Sequence, residues 1–166
     1  MRYIAHRGLI DGPDKSLDNF PEIYQDHLRF VIHEGYDVEV DIWVKHDQLW
    51  LGHDEPQYKI SKDWLKIFSN YLWVHCKNLE AMEFCFNFTN LNYFSHDNDD
   101  YVITSKGYVW AYPGKAGSST TVLVMPEYVD GLDRVIELIK SGTVIKGVCT
   151  DYARRVRDET KHCTTW

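Results

Sequence analysis

Near its N-terminus the chain carries His6-Arg7-Gly8, then Glu39-Val40-Asp41, then His53-Asp54. Two imidazoles, a guanidinium and two carboxylates spaced two apart are the groups needed to hold a divalent metal against a phosphate and to move protons around it. Phosphodiester chemistry is the leading reading. Taken singly each feature is weak, since an ExD pair is more often the acidic face of a surface strand and a lone loop histidine is more often structural. Their joint weight depends on the elements that carry them.

Tyr3 to Ala5 is a short apolar run ending at His6, which suits a buried first strand with the histidine at its tip. Phe20, Ile23, Tyr24, Leu28, Val31 and Ile32 recur at helical spacing, Asn19 caps the start, Pro21 sits in the first turn and Gly35 closes the end, so residues 20–34 are predicted helical. From Asp37 to Val44 the pattern alternates strictly. A strand of that period puts Asp37, Glu39 and Asp41 on one face, where Glu39 and Asp41 can chelate one hard cation. Three unneutralised carboxylates on one buried face would be costly, so positive charge is expected there.

A tight connection through His46-Asp47-Gln48 leads to a short strand at 49–51 and on to His53. Helices are predicted over 61–70 from Ser61, over 78–88 from Asn78, and from an Asp130 cap to Gly142, with strands at 72–76 and 144–149. Between them, 93–94, 101–103, 109–111 and 122–125 read as short strands. Strand–helix alternation favours a parallel sheet, and the count approaches eight. A full eightfold β/α barrel takes ~250 residues, and connections such as 95–100 and 113–119 are too short for ordinary helices. The expected fold is α/β, a contracted TIM-type (β/α)8 barrel with several outer helices shortened or missing.

Length sets a single domain over all 166 residues, with 44 % hydrophobic and 14 % aromatic residues sufficient for a core. A net charge of −7 argues against nucleic acid as a partner. The first residues lack a signal-peptide pattern and no apolar run reaches transmembrane length, so a cytoplasmic protein without stable membrane insertion is expected. Cys76, Cys85, Cys149 and Cys163 lack CxxC spacing and read as reduced thiols. Exposed sheet surface beside missing helices is compatible with a homodimer.

In their order, His6-Arg7-Gly8, Asp18-Asn19, Gly35-Tyr36-Asp37, Glu39-Val40-Asp41 and His53-Asp54 resemble the glycerophosphodiester phosphodiesterases, whose pattern is HRG, PEN, GAD-x-x-ExD and HD. Val74-His75-Cys76-Lys77 occupies the place of the family's Ile-Glu-Leu-Lys strand, and Gly147-Val148-Cys149-Thr150-Asp151 is similar to its last strand, DGI-x-TD. The resemblance implies His6 and His53 as the acid/base pair, Arg7 and Lys77 as phosphate-binding residues, and Glu39 and Asp41 as ligands of one divalent metal. It implies a soluble small-molecule phosphodiester as substrate and a place in lipid metabolism. The attacker would be water or the substrate's own neighbouring hydroxyl, the latter giving a cyclic phosphate.

His75 stands where the family has a metal-binding glutamate. Mg²⁺ or Ca²⁺ is the expected metal, with Mn²⁺ or Zn²⁺ as the alternatives that an imidazole ligand there would favour. Asp97, Asp99 and Glu127 are alternative third ligands, although His96-Asp97-Asn98-Asp99-Asp100 reads more simply as a solvated turn. Trp110, Tyr112, Pro113 and Gly114 form an aromatic loop suited to packing on a substrate alcohol or a choline-like ammonium, with plain loop packing as the simpler reading. Two other functions are compatible with these residues: a lipid phosphodiesterase similar to sphingomyelinase D or phosphatidylinositol phospholipase C, and a degenerate barrel that binds phosphate or metal without turnover.

Overall fold

A computed structural model describes residues 1–14, 21–88 and 90–163. The elements, in chain order, are β1 (Arg2–His6), α1 (Pro21–His33), β2 (Asp37–Lys45), β3 (Gln48–Leu51), β4 (Tyr58–Ile60), α2 (Lys62–Phe68), β5 (Leu72–Cys76), α3 (Leu79–Phe86), β6 (Asn92–Phe94), β7 (Tyr101–Ile103), β8 (Val109–Ala111), β9 (Thr121–Val124), α4 (Leu132–Lys140), β10 (Gly147–Thr150) and α5 (Ala153–Thr160). The fold is α/β. The Asp18-Asn19 motif and the predicted Asn19 cap lie outside the described residues.

Seven strands run parallel in the order β6-β5-β2-β1-β10-β9-β8, and β7 pairs antiparallel with β8. β2 is longer than its neighbours and is used twice along one edge: Asp37–Glu39 pair with β1, and Ile42–Lys45 pair with β3. The β2–β3 turn is made by His46 and Asp47, both left-handed (φ 51° and 57°), the geometry that suits a two-residue hairpin. β4 extends this hairpin, and its three residues carry no sequence pattern long enough to reveal it.

The outward side chains of β2 and β5, among them Val38, Val40, Ile42, Leu72 and Val74, pack against Leu28, Val31 and Ile32 of α1, Trp64 and Leu65 of α2, and Ala81 and Cys85 of α3. Most are fully buried, and each aliphatic side chain contributes about 1.5–3 kcal/mol. α4 and α5 cover β10 through Val135, Ile139, Val148 and Val156. On the opposite face, Ile4, Trp73, Phe94, Trp110, Val122 and Cys149 from six strands form one cluster, with Phe94 and Trp110 ring centres 4.5 Å apart. Side chains from β6 and β8 can meet only if the sheet curls, so this cluster is the inside of the curl.

The sheet is curled but is not the closed barrel that a contracted (β/α)8 fold requires: among the described residues no ladder joins β6 to β7. The two are bridged instead by Ser105, whose N–H donates to the Tyr93 carbonyl at 2.8 Å and whose hydroxyl accepts from the Tyr93 N–H at 3.0 Å. Loop length is the reason. Residues 104–108 are enough for a hairpin and too few for a parallel crossover, so β7 must turn back antiparallel. Among the described residues no helix covers this side, and Phe86 and Ile103 stay about three-quarters exposed, at 75 % and 74 %.

Element ends follow local chemistry. Ser61 and Asn78 cap α2 and α3, accepting from the Trp64 and Ala81 N–H groups. Asp130 does not cap α4, contrary to the sequence expectation. Gly131 occupies that position, and Asp130 pairs with Arg134 one turn on. The last strand also starts three residues later than predicted, at Gly147, where a Cβ would lie 2.7 Å from the Arg2 carbonyl oxygen of the neighbouring strand.

Candidate functional site

Period-two alternation on β2 aims Asp37, Glu39 and Asp41 into the curl, and strand register decides what each meets. Asp37 lies at the N-terminal end, where Arg2 donates at 3.1 Å and the Trp73 indole N–H at 2.9 Å. Arg2 supplies the expected positive charge at this carboxylate, and Asp37 is separate from the other two. Its carboxyl is held above the usual range because burial outweighs those two donors.

Toward the C-terminal end, His6 of β1 is registered opposite Glu39, and His75 of β5 opposite Asp41. His75 Nδ1 lies 2.9 Å from Asp41 Oδ1, and Lys77 Nζ lies 3.5 Å from the same oxygen. One donor atom from each of Glu39, Asp41 and His75 falls within a 4.8 Å group that could hold a metal ion. Burial, and then the neighbouring Asp41, push the Glu39 carboxyl well above its ordinary range. Burial also raises Asp41, but the His75 contact and the charges of His75, Lys77 and His53 outweigh it and hold Asp41 below its ordinary value. Asp41 Oδ2 is buried without a hydrogen-bond partner, as a ligand oxygen would be. A divalent cation fits this donor set, since it would take up that oxygen and relieve the repulsion between the carboxylates.

β1 ends in a sharp turn. Arg7 (φ 50°) and Gly8 (φ 78°) are both left-handed, so the Arg7 N–H points to Glu39 Oε2 at 3.3 Å. Only glycine fits after Arg7, because a Cβ there would sit 2.5 Å from Leu28 Cδ2. The turn is held from α1, where the Tyr24 hydroxyl donates to the Arg7 carbonyl at 3.2 Å and His27 Nε2 lies 2.8 Å from the Gly8 carbonyl oxygen. His6 Nδ1 lies 2.7 Å from Asp151 Oδ1, which leaves Nε2 facing Glu39 Oε2 at 3.9 Å.

Glu127 is an anchor for this arrangement and not a member of the metal group. Its Oε1 accepts from the Thr150 hydroxyl at 2.7 Å and from the Asp151 N–H at 3.0 Å. The Asp151 carboxylate is thereby fixed behind His6.

Neither a protein-family model nor a curated protein matches the chain. The short ordered motifs and the geometry of their side chains therefore carry the functional reading.

A cavity of about 320 Å³ opens over these groups, lined by the ionisable His6, Glu39, Asp41, His53, His75 and Lys77 and by the aromatic Phe94, Trp110, Tyr112 and Tyr128. Five of the seven predicted site residues that carry charge or a ring nitrogen thus meet around Glu39, with His53 at the rim. Its side chain is 48 % exposed and pairs with Asp54 at 2.7 Å. Arg7 lines a neighbouring cavity of about 230 Å³ with Tyr24, Gln57 and Tyr58, and Asp41 and His53 border both spaces. Buried Arg7 Nε has no hydrogen-bond partner.

Asp97 and Asp99 line the larger cavity but are exposed and outside the metal group. His96 is more than part of a solvated turn. Its ring is near-parallel to that of His75, 4.5 Å away at 5°, and its Nδ1 is buried without a partner. Burial, then the neighbouring His75, hold the His96 imidazole below its ordinary value. Sequence reading passed over the stacking of His96 and the anchoring by Glu127 because both depend on contacts between distant strands. Asp151 was visible as a residue of the TD motif, without a role.

Proposed function

We propose that the chain is a metal-dependent phosphodiesterase acting on a glycerophosphodiester or a related soluble phosphodiester, with its curled sheet a contracted form of the TIM-type barrel. The observation that carries this reading is the contact of His6 with Asp151 beside the Glu39–Asp41–His75 group: an oriented imidazole and a metal-type donor set share one cavity. A cytoplasmic site of action in lipid metabolism belongs to the same proposal. No helix among the described residues is long and apolar enough to cross a membrane.

Glu39, Asp41 and His75 would hold one divalent cation, which when bound would polarise a phosphoryl oxygen and stabilise negative charge developing on it. Arg7, just after β1, and Lys77, just after β5, hold the phosphate and neutralise its oxygens. Asp151 keeps Nδ1 of His6 engaged, so Nε2 is the free nitrogen. That atom takes the proton from water as the water oxygen attacks phosphorus. His53, at the open rim, gives a proton to the departing alcohol oxygen as its bond to phosphorus breaks. The products are glycerol phosphate and an alcohol.

Hydrolysis of glycerophosphocholine by the metal-loaded protein, followed by phosphorus NMR, tests this. Activity should require added metal and be lost in His6→Ala and His53→Ala, while a cyclic product would show that the substrate hydroxyl is the attacker. Turnover equal to wild type in both variants rules the reading out. The exposure of His53 favours one competing reading, a barrel that binds the phosphodiester without turnover. Binding by calorimetry with no product under any divalent metal would establish it.

A further inference from the structure

We infer that the Glu39–Asp41–His75 group selects a transition ion such as Mn²⁺, Co²⁺ or Zn²⁺ over Mg²⁺ and Ca²⁺, with the imidazole of His75 as the discriminating ligand. The inference rests on the metal-site part of the proposed function and does not depend on catalysis. That a ligand belongs there is indicated independently by Asp41, which is 4 % exposed yet has a buried Oδ2 without a partner.

Two properties of the donor set lead to the selectivity. The first is chemical. Mg²⁺ and Ca²⁺ are bound through oxygen, whereas imidazole suits Mn²⁺, Co²⁺ and Zn²⁺ increasingly along that order. Replacing one of three ligands with a ring nitrogen therefore weakens the oxygen-seeking ions relative to the others.

The second is positional. His75 Nδ1 is hydrogen-bonded to Asp41 Oδ1 at 2.9 Å across adjacent strands, while Asp41 Oδ2 is left without a partner. A carboxylate that holds one ring nitrogen orients the imidazole and makes its other nitrogen a more basic ligand. That strengthens the nitrogen donor, which transition ions accept and Mg²⁺ and Ca²⁺ do not favour.

The imidazole is also held in place. Its plane lies within 5° of His96 at 4.5 Å and within 4° of Phe94 at 5.3 Å, so the ring is confined by two flat neighbours. A ligand fixed before the ion arrives loses little freedom on binding, so more of the nitrogen–metal bond energy is realised as affinity.

The test is calorimetric titration of the EDTA-stripped full chain with each of the five ions, with absorption and proton NMR of the Co²⁺ form. Wild type should bind Zn²⁺ and Co²⁺ on the order of 100-fold more tightly than Mg²⁺. Its Co²⁺ form should show a shifted imidazole N–H resonance that His75→Gln lacks. His75→Glu should reduce the gap to about tenfold or less by gaining Mg²⁺ affinity. Glu39→Gln should weaken every ion, which separates this site from surface histidines; thermal melts in EDTA verify that the variants are folded.

Mg²⁺ binding as tightly as Co²⁺, or an unchanged Co²⁺ spectrum in His75→Gln, overturns the inference while leaving the metal site intact. No binding of any ion overturns both. Selective binding without phosphodiesterase activity upholds the inference and refutes only the function.

Discussion

His6 Nδ1 and Asp151 Oδ1 are 2.7 Å apart across 145 residues of sequence, joining the end of the first strand to the end of the last. The contact sets the direction of the His6 ring, because a nitrogen held by a buried carboxylate leaves the other nitrogen free for proton transfer. Asp151→Asn keeps the shape and removes the charge. It should lower kcat on the order of 100-fold with a smaller change in KM, and nitrogen-15 shifts should show His6 redistributed between tautomers. An unaltered kcat would show that His6 needs no such partner.

Glu39 and Asp41 oppose each other when no cation is present. Glu39→Gln should therefore melt higher than wild type in EDTA, by on the order of 1 kcal/mol in unfolding free energy, and should lose the stabilisation that saturating metal gives wild type. Chemical denaturation with and without metal reads both effects, and a variant less stable than wild type in EDTA would contradict the first.

Gly8→Ala meets two obstacles at once, a left-handed backbone (φ 78°) and Leu28 Cδ2 at 2.5 Å from the new Cβ. The combined loss should be roughly 1–3 kcal/mol. Because the same turn aims the Arg7 N–H at Glu39, activity should fall under conditions where the variant is still fully folded. Urea unfolding alongside turnover separates the two losses.

Sequence patterning made half of the site legible. Strict alternation at 37–44 determines that Glu39 and Asp41 share a face, whatever the rest of the chain does. The same alternation put Asp37 with them, yet a rise of about 3.3 Å per residue carries it to the far end of the strand, beyond reach of Asp41. A shared face is not a shared site. The pairing of His75 with Asp41 depends on the register between β2 and β5, which the 26 intervening residues of hairpin and helix determine together. Closure of the barrel failed for a related reason, since residues 101–111 showed their strands but not that the hairpin turns one of them around.

Three of the four cysteines are buried, and Cys163 is exposed. Burial pushes the Cys149 thiol up, and a contact with Cys85, followed by burial, does so for Cys76. A disulfide exchange reagent should label one thiol per native chain and four in denaturant. Rapid labelling of two or more native thiols would mean that the core opens readily.

Glu159 of α5 is bound by Lys140 of α4 at 3.2 Å and by Arg155 at 3.0 Å, and Arg155 also pairs with Asp133 of α4. The Lys140 contact, then that of Arg155, hold the Glu159 carboxyl below its ordinary 4.5. Its stabilising effect is therefore present above pH 4.5 and is lost as pH falls through the lower folded value. Glu159→Gln should be slightly less stable than wild type at neutral pH and equal to it in acid or at high salt, because the cluster is exposed and screened. A deficit that persists at high salt would point to packing instead of charge.

Two of the six tryptophans, Trp73 and Trp110, stand 5.7 Å apart inside the curl, and Trp110 lines the cavity that His75 and Lys77 also line. The indole pair gives the molecule an emission signal of its own, close to the groups that would receive a cation and a phosphate. A paramagnetic ion at Glu39 and Asp41 should quench that light, and a bulky alcohol against Trp110 should shift its colour, so occupancy of the two halves of the cavity can be followed separately in the unlabelled protein.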